Sequence, residues 1–187
     1  MRKQDLAAWT LLALVCFPPL TGMAASNARV DVGLFSQNDI SGWEIRTFAG
    51  TTDYSVGPVD GRLVLIADSQ QSASAYYKKI KIDLEETPIL NWSWQKLIPI
   101  DPGNEEVKKG DDFVARIYMV KIDELVIWDT LALNYVWSYQ HHKNDVWDSP
   151  FAGKKSKMLS QRDASDPQAV WFSENRNVLM EIGRAHV

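Results

Sequence analysis

In residues 111–120, DDFVARIYMV, the side chains Phe113, Ala115, Ile117 and Met119 alternate with Asp112, Val114, Arg116 and Tyr118. Period two is the period of a β-strand, so Asp112 and Arg116 are expected on one face of a strand running from Asp112 to Val120. An arginine inside a strand needs a partner. A paired, partly buried Asp and Arg can orient a polar ligand, or the two can simply hold each other. A glycosidase would instead require two carboxylates about 5 to 9 Å apart across a cleft. Asp111 with Asp112 and Glu85 with Glu86 are adjacent pairs, and neighbouring strand residues point to opposite faces. No catalytic residue is assigned on this basis.

Other reactive side chains give weaker signals. His141 and His142 stand with Asn144 and Asp145 between Ser138 and Trp147, without the spacing of a zinc or iron motif. They read as a solvated loop, and no metal site is assigned. There is no Gly-x-Ser-x-Gly elbow. No Gly-rich phosphate loop implies a cofactor, and none is assigned. Tryptophan both stacks on sugars and fills sandwich cores. Trp92, Trp94 and Trp137 lie inside expected strands and read as core, whereas Trp128, Tyr139 and Trp147 lie nearer loops, where binding residues concentrate. The candidate ligand-binding set is therefore Asp112, Arg116, Asn134, Trp128, Tyr139 and Trp147.

These residues need a scaffold. Turn signals recur at 38–42, 57–61, 68–72, 101–103 and 109–111, with short strands between them, the pattern of a β-sandwich or barrel. Residues 62–67 are β-rich, and Ala75 to Leu84 alternates with Tyr77, Ile80, Ile82 and Leu84 among lysines. Asn91 to Leu97 alternates strictly, with Trp92 and Trp94 on one face. Leu131 to Ser138 is apolar enough to be a central strand. Val170 to Met180 is expected to form a short helix capped by Ser173.

The termini read differently from the body. Arg2 and Lys3 precede an apolar stretch from Leu6 to Leu20, and Gly22, Ala24 and Ala25 follow, which predicts a secretory signal peptide over residues 1–24. Pro18 and Pro19 interrupt the stretch short of the roughly 20 residues of a membrane span. Cys16, the only cysteine, lies in that signal, so a processed chain holds no disulfide. From 20 basic and 24 acidic side chains, loss of Arg2, Lys3 and Asp5 leaves 18 and 23, a net charge of −5. That balance argues against nucleic acid and anionic membrane surfaces as partners. A single domain is expected over residues 30–180 and a periplasmic or secreted location. The last residues, EIGRAHV from Glu181 to Val187, reverse-translate as GAG ATC GGA AGA GCA CAC GTC, the start of a common sequencing adapter whose next triplet is a stop. Residues 181–187 are expected to be a non-native tail, Ile182 to Val187 being adapter read-through, with a native C-terminal part missing.

Four motifs in order carry a resemblance: KKGDDFVARIYMV (108–120), LNYVWS (133–138), SPF (149–151) and W-x-x-E-x-R-N-V (171–178). Together they resemble the bacterial family catalogued as domain of unknown function 3047, from about Phe35 to Val178. The resemblance implies an exported protein with a jelly-roll-like β-sandwich and carries no settled activity. Relatives continue past the last motif with more helix and terminal strands. This chain departs from them at Gln161 to Ala164, where a glycine-containing turn is expected.

Three functions are compatible with these residues. The leading one is a non-catalytic binding module in which Asp112, Arg116 and Asn134, with aromatic neighbours, contact a carbohydrate-like or small polar ligand of the cell envelope. The second is an envelope hydrolase or lyase using Asp112 and Arg116, which predicts a shifted carboxylate in a cleft. The third is a structural or interaction protein whose sheet packs against an unknown protein partner.

Overall fold

A computed structural model describes residues 28–121 and 130–185. The predicted signal peptide and Trp128 lie outside the described residues. The chain is mainly β: β1 (Trp43–Ala49), β2 (Asp53–Val59), β3 (Arg62–Asp68), β4 (Ala73–Lys78), β5 (Ile89–Trp94), β6 (Arg116–Lys121), β7 (Leu131–Trp137), β8 (Val146–Ser149), β9 (Gly153–Arg162) and β10 (Phe172–Asn177), followed by a short helix α1 (Val178–Ala185). No helix among the described residues is long and apolar enough to cross a membrane.

Local chemistry sets the N-terminal hairpin. Asp60 and Gly61 both take positive φ, 49° and 74°, between the closing pair Val59 and Arg62. Asp-Gly is the residue pair that a two-residue turn with two left-handed positions requires, because its twist matches the flanking strands. β2 and β3 pair antiparallel from there, and β1 pairs antiparallel with β4. β4 stops at Lys78, so the alternation expected to run on to Leu84 ends six residues early.

The C-terminal half is built on a four-stranded sheet in the order β6-β7-β9-β8, in which β7 and β9 run parallel and the other pairs antiparallel. β7 is central and buried on both faces, from Ala132 through Trp137. Its apolar run is what a strand covered on two sides needs. β5 and β10 form a separate antiparallel pair laid on the Leu133, Tyr135 and Trp137 face. Trp92 packs on Tyr135 at 5.2 Å between ring centroids, and Trp94 on Trp137 at 5.6 Å. Leu133, Tyr135, Leu159 and Val178 form the buried cluster between them. The assignment of Trp92, Trp94 and Trp137 to core packing holds.

The structure departs from expectation at two further segments. The segment 112–120 is a strand only from Arg116, because Asp112 donates its N–H to Gly110 O at 2.8 Å in a loop, and the pairing with β7 starts where Trp137 N donates to Ala115 O. Residues 170–180 do not form one helix. Phe172 to Asn177 pair in full register with β5, and Ser173 sits on that strand, hydrogen-bonded to Ser93 at 2.8 Å. The helix begins at Val178, and Asn177 caps it by accepting the Met180 N–H at 2.9 Å. After β9 the chain turns without glycine: Asp163 N–H donates to Asp166 Oδ2, and Ser165 N–H to Asp163 Oδ1.

Candidate functional site

The loop 101–115 folds over one end of the four-stranded sheet and meets the loop 138–145. Its anchor is Glu105, a fully buried carboxylate. It accepts hydrogen bonds from the Ser138 hydroxyl and, at 2.6 Å, from Tyr139 N–H. Buried carboxylates persist only when their lone pairs are met in this way. Asp111 follows in the same loop with a side chain 5 % exposed, and its Oδ1 lies 2.8 Å from Arg116 Nη2. Burial pushes the Asp111 carboxyl above the usual range, against the opposing pull of Arg116. The Arg116 guanidinium also lies 4.7 Å over the Phe113 ring. Phe113 packs on Trp147, and His141 stacks on Trp147 at 3.7 Å and 15°.

This rim gathers several of the residues singled out by sequence, with different partners. Arg116 pairs with Asp111, while Asp112 is exposed beside it. Tyr139 is 39 % exposed at the edge of the cluster. Asn134 lies beneath, 2 % exposed, donating its amide N–H groups to Ser156 Oγ and Lys157 O. Trp147 presents one face to His141, and its indole N–H is buried without a partner. His141 is not the solvated loop residue expected: its side chain is 17 % exposed and lies between Glu106, at 3.7 Å, and Asp145, at 3.9 Å. His142 is solvated, 89 % exposed. Among the described residues, no group of three or more His, Cys, Asp or Glu side chains is placed to hold a metal ion.

The second feature is the outward face of β5 and β10. Strand alternation turns Ile89, Asn91 and Ser93 outward on β5, and Ser173, Asn175 and Asn177 outward on β10. Asn175 Nδ2 donates to Asn91 Oδ1 at 2.6 Å, and the Ser93 and Ser173 hydroxyls lie 2.8 Å apart. These two rungs, with Trp92 and Glu174, line a shallow concavity of about 420 Å³. None of the six outward positions is charged. Trp171, one residue before β10, donates its indole N–H to Asp60 at 2.9 Å and lies under the Arg62 guanidinium at 4.5 Å, so the β2–β3 turn reaches this end of the strand pair.

The inward side of β10 carries charge instead. Glu174, 5 % exposed, accepts from Trp94 Nε1 at 3.1 Å and from Arg162 Nε at 2.6 Å, and lies 3.9 Å from Lys143 Nζ. Arg176 pairs with Glu181, which also accepts the Tyr135 hydroxyl at 2.6 Å. Burial, reinforced by that bond, raises the Tyr135 hydroxyl well above its ordinary value.

Sequence reasoning passed over the outward face. Its one available signal was the Ser-Glu-Asn-Arg-Asn alternation after Phe172, matched to the Asn-Trp-Ser-Trp alternation of β5. A family model described as protein of unknown function (DUF3047) matches residues 41–186. Neither a curated protein nor a solved structure matches the chain.

Proposed function

From the premise that the chain belongs to the DUF3047 family, we propose that it is a non-catalytic binding module of the cell envelope, taking a carbohydrate-like, uncharged polar ligand on a jelly-roll-like sandwich. The observation that carries this reading is the uncharged outward face of β5 and β10, where Asn91–Asn175 and Ser93–Ser173 form two hydrogen-bonding rungs in a concavity of about 420 Å³. Amide and hydroxyl groups each donate and accept, so they match sugar hydroxyls without removing a charge from water. The volume falls within the roughly 300–1,000 Å³ common for ligand sites. Its openness to solvent suits a chain-like ligand held weakly through several water-mediated contacts. Export is supported by Arg2, Lys3 and the apolar stretch Leu6 to Leu20.

The hydrolase or lyase reading draws on Asp111, a carboxyl raised by burial. That carboxyl is 5 % exposed and bound to Arg116, so it is poorly placed to meet a substrate, and Glu105 is committed to Ser138 and Tyr139.

The test is native-gel retardation of the purified full chain in gels containing neutral or acidic envelope polysaccharides. A neutral polysaccharide should retard the wild-type protein, and the Asn91→Ala/Asn175→Ala variant should run unretarded. Equal retardation of both proteins, or retardation by acidic polysaccharides alone, would overturn the proposal.

A further inference from the structure

A recess on the other half of the molecule is independent of the face just described. It opens between the hairpin β2–β3 and the pair β1–β4, with a volume of about 120 Å³. Tyr54, Tyr76, Val56 and Leu65 supply apolar surface, Ile40 stands at its side 52 % exposed, and Asn38 and Ser55 complete the lining. No lining residue is charged.

The aromatic wall is fixed in advance. Tyr54 stacks on Tyr76 at 5.1 Å and 17°, Tyr76 on Trp43 at 5.2 Å and 23°, and Trp43 meets Phe35 at 5.1 Å. The Tyr54 hydroxyl donates to Ser74 O at 2.8 Å, which ties β2 to β4 and holds the ring in place. A wall that is already ordered loses little entropy when a ligand arrives.

The polar side is open. β2 pairs with β3 alone, so on its other edge, near Ser55, backbone groups have no ladder partner among the described residues. Asn38 is held at φ 57° by its own N–H bonding to Phe35 O at 2.9 Å. Its side-chain amide makes no hydrogen bond among the described residues and is exposed at the recess.

We infer that this recess is a second binding site, for a single neutral pyranose ring. A pyranose has an apolar C–H face that fits aromatic and aliphatic walls, and a rim of hydroxyls that an amide and a free strand edge can meet. The volume, well below the roughly 300 Å³ at which drug-sized sites begin, takes in part of one ring and leaves no room for a chain. An ion would find no counter-charge in the lining.

The experiment is a titration of the full chain with glucose, galactose and N-acetylglucosamine in turn, followed by the NMR signals of the Tyr54 and Tyr76 rings. At least one sugar should shift both rings saturably. Asn38→Gly keeps the left-handed backbone accessible while removing the amide, and should weaken binding about 2- to 10-fold. Leu65→Trp fills the recess and should abolish the shifts. The Asn91→Ala/Asn175→Ala variant should leave them unchanged, which separates this site from the β5–β10 face. Unmoved Tyr54 and Tyr76 signals with all three sugars would overturn the inference. So would Asn38→Gly binding with wild-type affinity, a result that decides the matter even if Leu65→Trp fails to fold.

Discussion

Glu174 on β10 and Arg162 on β9 are joined across the two layers of the C-terminal half, Oε1 to Nε at 2.6 Å, with both side chains largely buried. The same carboxylate takes the Trp94 indole N–H, and Arg162 lies 4.1 Å over the Phe172 ring. The pair therefore fixes where the β5–β10 strand pair sits on the four-stranded sheet. Removing one partner of a buried pair leaves the other charge uncompensated, which costs about 3–5 kcal/mol. Asp166, 3.7 Å from Arg162, offsets part of that. Glu174→Ala should cost about 3 kcal/mol and lower Tm by roughly 6–12 °C, given about 2–4 °C per kcal/mol at this chain length. Glu174→Gln, which keeps an acceptor for Trp94, should cost less. Thermal denaturation followed by circular dichroism measures both.

Glu105 holds the rim in a similar way, through a carboxylate facing a hydroxyl and a backbone N–H rather than a cation. Glu105→Ala would leave the Tyr139 N–H unmet, and unmet buried groups cost about 1–3 kcal/mol, more when the lost partner is ionised. A loss of about 3 kcal/mol is expected in urea unfolding. The loop 101–115 should also gain protease sensitivity before the sheet unfolds, and uniform loss of all fragments together would contradict the anchoring role.

How much of this was legible in the sequence depended on what each strand buries. β7 is apolar at every buried position but Asn134, and Trp92 and Trp94 alternate with short polar residues, so both strands stand out in the sequence. β10 buries Glu174 and Arg176 on its inward side, with Asn and Ser outward. Its period is therefore hidden, polar against polar, and it shows as a strand only in its pairing with β5, with Arg162, Trp94 and Glu181 meeting its inward charges. The Asp112 and Arg116 pairing failed for a related reason. Strand spacing places residues on a face only where a strand exists, and this one starts where β7 offers backbone partners, at Arg116. The loop before it turns Asp111 back to the guanidinium instead.

Asp111 makes a pH prediction of unusual sign. Burial raises its folded pKa above the ordinary carboxylate value, so the folded state holds the proton more tightly than the unfolded chain does. The stability contributed by this group is fully present below the unfolded pKa and is lost as pH rises through the folded pKa. A carboxylate whose ion pair dominated would behave in the opposite way. Asn mimics the protonated acid, so the urea midpoint of Asp111→Asn should gain on wild type as pH is raised from about 3 to 7. A gap that closes or reverses over that range would show that Arg116 outweighs burial.

Arg116→Met separates the rim from the β5–β10 face as the place where ligand binds. The substitution keeps an apolar stem beside Phe113 but leaves the Asp111 carboxylate without its cation. Stability at pH 7 should fall by roughly 1–3 kcal/mol, the cost of a buried polar group losing its partner. The loss should shrink near pH 3, where a protonated Asp111 has no charge to compensate. Retardation by neutral polysaccharide should persist, because among the described residues the hydrogen bonds and ring contact of Arg116 go to Asp111 and Phe113 and not to Asn91, Ser93, Ser173 or Asn175. If retardation disappears in a variant that is still folded at the gel temperature, the guanidinium itself meets the ligand, and Asp112, Tyr139 and Trp147 beside it become the site to map.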